Sequence, residues 1–277
     1  MVLKTAGPRI VILNTVQNSA IVARSFARSK RFLDVLHLST ALTPVDRART
    51  LAVVKTKLES DPNGDWVLVG TSCIEAGMDL DFATGFREVS SLTSLLQASG
   101  RVNRSGRRND AKMFSFSLRD EGGINRNRNM EDSIHVMRDI LREGKPVDAT
   151  LCTEALRREL RLDPRFESLL SKVGTAENQL DFPEVKRLVQ IISDDTRTVI
   201  VDAGIIERIE SFQPVSWRDI QRNSVQLWGT RIDTLHVPEL NLHPGIFKWH
   251  LNYSSFLGCM EGILEQEDFT LNGGSIL

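Results

Sequence analysis

The chain has 277 residues, enough for one large domain or two modest ones. Hydrophobic residues make up 41% and charged residues 26%, which is ordinary for a globular protein and argues against disorder. Thirty-five basic residues against 36 acidic ones leave a net charge of −1, which excludes a bulk polycation but not a local basic patch.

Arg9 to Thr15 reads as a buried strand closing on polar residues, followed by helical apolar spacing at Ile21, Val22 and Phe26. Val35 to Thr40 is a second strand, again ending in hydroxyls. Thr43-Pro44-Val45-Asp46 predicts a helix start: Thr43 caps, Pro44 fits the first helical position, and Asp46 stands where a reciprocal capping acid would. That helix runs to about Glu59, and Asp61-Pro62-Asn63-Gly64 ends it in a turn. Trp66-Val67-Leu68-Val69 is a third strand, short and apolar as a strand covered on both faces should be. A fourth strand is expected at Gly85 to Val89, a helix at Ser94 to Ser99 and a fifth strand at Met113 to Leu118.

Strands alternating with helices predict an α/β fold with a doubly wound, mostly parallel sheet. Ligands of such sheets sit beyond the carboxyl ends of the strands. Asn14, Thr15, Ser39, Thr40, Thr71 and Ser72 all follow strands. Asp120 to Asn129 is polar and glycine-containing and reads as a linker. It divides the chain into a first domain at 1–119 and an α+β domain at 130–277, expected to have its own core. In the second domain, helices are expected at Met130 to Leu141, Thr153 to Leu162 and Phe182 to Ile192, and strands at Thr198 to Val201, Val225 to Trp228 and Phe247 to Leu251. Glu265 to Leu277 is expected to be loosely held.

Cys73, Cys152 and Cys259 are far apart and read as reduced thiols. No apolar run approaches a membrane span. The amino-terminal residues Met1-Val2-Leu3-Lys4-Thr5 have no secretory pattern, so the expected location is cytoplasmic. The five histidines, His37, His135, His236, His243 and His250, form no His-Asp pair, and no metal site is expected.

Two stretches carry the chemistry. One is Thr71-Ser72-Cys73-Ile74-Glu75-Ala76-Gly77-Met78-Asp79-Leu80-Asp81-Phe82, and the other is Gln97-Ala98-Ser99-Gly100-Arg101-Val102-Asn103-Arg104. On a helix, the three-residue spacing of Arg101 and Arg104 points both guanidinium groups the same way. Two such groups suit a triphosphate, because they stay charged and match phosphate oxygens bidentately.

These stretches, with His37-Leu38-Ser39-Thr40, Pro44 and Arg47 before them and Ser105-Gly106-Arg107 after, resemble the second RecA-like lobe of superfamily 2 helicases. More narrowly, they resemble the helicase-nuclease of type I CRISPR systems. The resemblance covers about residues 9 to 118. It is weaker at Asp181 to Val185, Thr198 to Val201 and Ile220 to Val225.

The resemblance implies an ATP site shared with another lobe. Arg101 and Arg104 would reach the triphosphate, where a donated arginine is worth about 10³ to 10⁵ in rate in related NTPases. Gln97 would meet the γ-phosphate or attacking water, Asp79 the ribose or the neighbouring lobe, and Gly77 would allow close backbone approach. Asp81 would organise the loop, and Glu75 is open between a functional role and a loop-orienting one. Asn14, Thr15, Ser39, Thr40, Thr71 and Arg107 would hold a single-stranded DNA backbone, and Arg108 would add local positive charge.

Ala98 departs from the arginine many helicases carry there. No Gly-x-x-x-x-Gly-Lys-Ser/Thr loop, Asp-Glu-x-His box or His-Asp nuclease pair occurs. The implied magnesium ion therefore belongs to an absent lobe. The chain is expected to be the carboxyl-terminal half of such a motor, inactive alone. Its expected partners are that lobe, the nuclease domain, single-stranded DNA and the crRNA-guided surveillance complex. The alternative is a non-catalytic module that docks on the surveillance complex or on the amino-terminal half.

Overall fold

The computed structural model describes residues 2–271 except 6, 33, 76–77, 120–122, 125–126, 128–129, 145–146, 163, 165, 190–194 and 242. Five parallel strands form the main sheet: β1 (Arg9–Ile12), β2 (Asp34–Leu38), β3 (Trp66–Gly70), β4 (Thr84–Glu88) and β5 (Lys112–Phe116). Their order is β2-β3-β1-β4-β5, all neighbours running the same way. In the central register Val11 lies between Val69 and Phe86. β1 and β3 are buried along their whole length, hence the apolar runs Ile10 to Leu13 and Trp66 to Val69.

Each crossover helix begins at a hydroxyl cap. Thr15 caps α1 (Val16–Ser29) by accepting from the Asn18 N–H at 3.0 Å. Thr43 caps α2 (Pro44–Ser60) by accepting from the Asp46 N–H at 3.3 Å, and its hydroxyl donates to the Asp46 carboxylate at 3.2 Å. Ser91 caps α3 (Leu92–Ser99). α2 begins where the sequence predicts, whereas α1 and α3 start earlier than expected.

The following helices are α4 (Glu131–Arg142), α5 (Leu151–Leu162), α6 (Phe166–Asn178) and α7 (Phe182–Leu188). Then come β6 (Thr196–Ile200), α8 (Ala203–Glu210), α9 (Trp217–Arg222), β7 (Ser224–Trp228), α10 (Gly229–Leu235), β8 (Ile246–Lys248) and α11 (Met260–Leu271). β6 is central in a three-stranded sheet, antiparallel to β7 and parallel to β8. The sequence reading missed α6, α8, α9 and α10. Three of these four have eight residues or fewer, too short to display a clear helical period.

Two expectations about this region are corrected. Ile200, Ile205, Ile209, Ile220, Leu240 and Ile246 do form a cluster of its own. The largest cluster, however, is shared: Val11, Leu13, Ala20, Ala23 and Phe86 pack with Val199, Val225, Ile232, Trp249 and Met260. Second, Glu265 to Leu271 is not loose but the last part of α11, and Arg24 of α1 binds Asp268 at 2.9 Å. Residues 272–277, the expected Phe182 helix beyond 189, and most of the expected linker lie outside the described residues.

Candidate nucleotide and nucleic-acid faces

β3 ends at Gly70, where a Cβ would lie 2.3 Å from the Leu38 carbonyl oxygen, so the backbone of β2 can approach only a glycine. A single 3₁₀ turn over Ser72–Ile74 then brings Glu75 back beneath the sheet. Its carboxylate meets Arg87 of β4 at 2.6 Å, the two side chains 4% and 2% exposed. Arg87 Nη1 also donates to Asn14 Oδ1 at 2.6 Å and to the Glu88 carbonyl at 3.0 Å. The Asn14 N–H donates to the Glu88 carboxylate at 2.7 Å. One chain of polar groups thus joins the loop after β3 to the carboxyl ends of β1 and β4.

Burial pushes the Glu75 carboxyl up from the usual carboxylate range, and the charge of Arg87 opposes that. Burial likewise lowers Arg87 from its ordinary value, with Glu75 and Glu88 pulling it back. Glu88 is raised by burial, against the Asn14 N–H and Arg87. The Glu75 carboxylate is thus engaged with Arg87 inside the fold. Arg87 and Glu88 were not singled out in the sequence. The available signal was a charged pair inside a short buried strand, since a buried charge needs a partner.

Arg101 and Arg104 do not point the same way, which corrects the expectation. α3 stops at Ser99 with Gly100 as its cap. Val102 pairs with Phe82 in a parallel bridge, and Asn103 turns the backbone to a left-handed φ of 50°. Arg101 is folded back onto the loop: Nη2 donates to the Glu75 carbonyl at 2.6 Å and Nη1 to the Met78 carbonyl. Arg104 projects outward and pairs with Asp79 at 2.8 Å, the two side chains 49% and 84% exposed. Asp81 holds the turn by accepting from the Arg104 N–H at 2.8 Å and the Ser105 hydroxyl at 2.5 Å, as expected for an organising residue.

Asp79, Asp81, Arg104 and Arg107 line an open groove of about 770 Å³. Arg108 lines it too, tied to Asn63 at 3.1 Å. Gln97 is exposed on α3 but is not part of this lining. Gly77 lies outside the described residues.

The six residues assigned to a DNA backbone divide. Arg107 is on the groove just described. Ser39 and Thr71 are buried: the Ser39 hydroxyl accepts from the Ala41 N–H, and the Thr71 hydroxyl donates to Cys73 Sγ. Asn14, Thr15 and Thr40 line a second cleft of about 720 Å³ at the carboxyl edge of the main sheet. Its far wall comes from β7 and α10, with Trp228 and Arg231.

Among the described residues, no cluster of three or more His, Cys, Asp or Glu side chains could hold a metal ion, and no helix is long and apolar enough to cross a membrane. His37 is buried, its ring bonded to the Phe256 carbonyl and 3.1 Å from Ser19 Oγ.

Residues 5–107 match the family model of the CRISPR-associated nuclease/helicase Cas3, C-terminal. An 88-residue stretch, 31% of the chain, is 36% identical to the CRISPR-associated nuclease/helicase Cas3 of Haloferax volcanii and covers 9% of that protein. The fold of T. fusca Cas3 bound to AMPPNP is similar over 87% of this chain and 35% of that one, with a TM-score of 0.58 at 14% identity. A solved CRISPR-associated protein is similar over 93% of this chain and 38% of its own, with a TM-score of 0.60 at 16% identity. A chain of a CRISPR RNA-guided surveillance complex, pre-nicking, is similar over 87% of this chain and 37% of its own, at a TM-score of 0.53 and 15% identity. The five-stranded sheet is thus a RecA-like lobe, and the likeness of fold continues through the second sheet. The chain spans little more than a third of the length of these solved chains.

Proposed function

We propose that this chain is the carboxyl-terminal part of an ATP-dependent 3′-to-5′ single-stranded DNA translocase of type I CRISPR interference. In this reading, residues 1–119 form the second motor lobe and 130–277 an accessory domain. The observation that carries it is the exposed Arg104–Asp79 pair on an open groove, held out by a loop that Arg101 and the buried Glu75–Arg87 pair fix from behind. The similar T. fusca Cas3 chains are solved with AMPPNP and with ATP, which supports a nucleotide as the groove's occupant.

Arg104 and Arg107 would meet the triphosphate, supplying positive charge where negative charge develops in phosphoryl transfer. Arg101 would act by placing the loop, Asp79 by meeting the ribose or the facing lobe, and Gln97 by reaching the γ-phosphate once the lobes close. Magnesium would be held by the Walker-bearing lobe, because this chain offers no suitable carboxylate cluster among the described residues. Asn14, Thr15 and Thr40 would contact the DNA strand, with the nuclease domain and the surveillance complex as further partners.

Alone, the chain should not hydrolyse ATP. The test is an ATPase assay on the purified chain with single-stranded DNA. Background rates are expected, and robust turnover abolished by Arg104→Ala would overturn the reading.

A second reading, a docking module, is favoured by the α6–α7 hairpin. α7 buries no residue and α6 only Ala176, while Leu170, Leu180 and Phe182 are exposed. Pull-down with target-bound surveillance complex separates the two. Capture without any rescue of ATPase by an added Walker-bearing lobe would favour the docking module.

A further inference from the structure

Trp228 breaks two local rules at once. It closes β7 and stands at the N-cap of α10, a position that favours Ser, Thr, Asp or Asn, and its side chain makes no capping bond. Trp228 is also 50% exposed, although it ends a strand whose Val225 is buried in the shared core. Such a conflict between local preference and placement is characteristic of functional positions.

The surroundings say what kind of function. Trp228 stands on the wall of the 720 Å³ cleft, across from Asn14, Thr15 and Thr40. Thr40 and Thr230 are exposed, so their hydroxyls are available at the surface. Among the described residues, no carboxylate lines the cleft and Arg231 is its single cation, engaged with Glu267 at 3.3 Å and Gln17 at 3.4 Å. An exposed tryptophan beside several hydroxyls, with the cation Arg231 already engaged by Glu267, suits a flat, hydrogen-bonding ring. It lies at the carboxyl edge of the parallel sheet, where such folds place their ligands.

We infer that this cleft is a nucleobase subsite, in which an unpaired base of a single DNA strand stacks on Trp228 while its sugar–phosphate runs along Thr40 and Thr230. The inference rests on the DNA-strand reading above and adds a contact to the base, which that reading did not contain. Stacking on an aromatic face is indifferent to base identity, because every base has a π-face, so it suits a protein that must move along any sequence.

The test is fluorescence anisotropy of a labelled oligo-dT strand and an abasic strand of equal length, titrated with the full chain at several salt concentrations. Trp228→Ala should weaken oligo-dT binding about tenfold, and Trp228→Phe should restore most of it. The salt slope should not change, because no phosphate contact is lost. Wild type and Trp228→Ala should bind the abasic strand alike. Should Trp228→Ala fail to fold, Trp228→Leu, which keeps apolar bulk but no π-face, takes its place.

Equal binding of oligo-dT by wild type and variant would overturn the subsite and leave the DNA reading standing. Failure of the wild-type chain to bind any strand would overturn both.

Discussion

Tyr253 donates its hydroxyl to the Asp46 carboxylate at 2.7 Å and accepts from the Thr43 N–H at 3.0 Å, tying the last third of the chain to the first turn of α2. The neighbouring Cys259 N–H reaches the Ala41 carbonyl at 3.0 Å. Gly258 sits where a Cβ would lie 2.1 Å from that same oxygen. The loop after β2, which carries Ser39 and Thr40, is therefore braced from the accessory region. Tyr253→Phe removes the hydroxyl and leaves the N–H of the buried Thr43 without its acceptor. A loss of about 1–2 kcal/mol is expected in urea unfolding, with an unchanged slope.

The two arginines of the Gln97–Arg104 stretch should separate cleanly. Arg101 satisfies backbone carbonyls of Glu75 and Met78, so Arg101→Ala is expected to cost about 1–3 kcal/mol. Arg104 pairs with an exposed carboxylate on the surface, so Arg104→Ala should stay within about 0.5 kcal/mol of wild type. Urea midpoints of the two variants check this. The reverse order would mean that Arg104, not Arg101, supports the loop.

That contrast also marks how far the sequence was legible. The strands were readable because a sheet covered on both faces leaves runs such as Trp66 to Val69, and the start of α2 was readable because capping is a local matter of Thr43, Pro44 and Asp46. The positions of Arg101 and Arg104 were readable from their setting, but their directions were not. Those depend on Gly100 ending the helix and Asn103 adopting a left-handed φ, which a helical spacing rule cannot anticipate. Asp46 and Tyr253 are 207 residues apart, and Glu75 reaches Arg87 only because β3 and β4 flank β1. Partners set by topology leave no periodic trace. The shared core escaped for the same reason: Val11 and Trp249 each look apolar, but nothing local says that they belong together.

The Glu75–Arg87 pair should behave as a buried ion pair does. Arg87→Met strands the Glu75 carboxyl in an apolar setting and deprives Asn14 of its donor, at an expected cost of about 3–5 kcal/mol. The double change Glu75→Leu with Arg87→Met should cost clearly less than the sum of the single changes, because neither charge is then left alone. Chemical denaturation of the three variants measures the coupling. Strict additivity would mean that the two groups do not depend on each other.

His37 should make stability fall on the acid side. The ring is wholly buried, with the Phe256 carbonyl accepting from Nδ1 and Ser19 Oγ beside Nε2. Burial lowers its pKa from 6.5 to about 4, against the opposing effect of the Phe256 carbonyl. The unfolded chain then binds the proton first. The stabilisation is fully present above pH 6.5 and is lost as pH falls towards 4, by up to about 3 kcal/mol. Glu75 and Glu88, whose carboxyls are raised, act in the opposite sense but equally in wild type and variant, so they cancel in a difference. The stability gap between wild type and His37→Gln, measured by urea unfolding at pH 7, 6, 5 and 4.5, should therefore narrow steadily. A gap constant across that range would show that His37 titrates alike in the folded and unfolded chain.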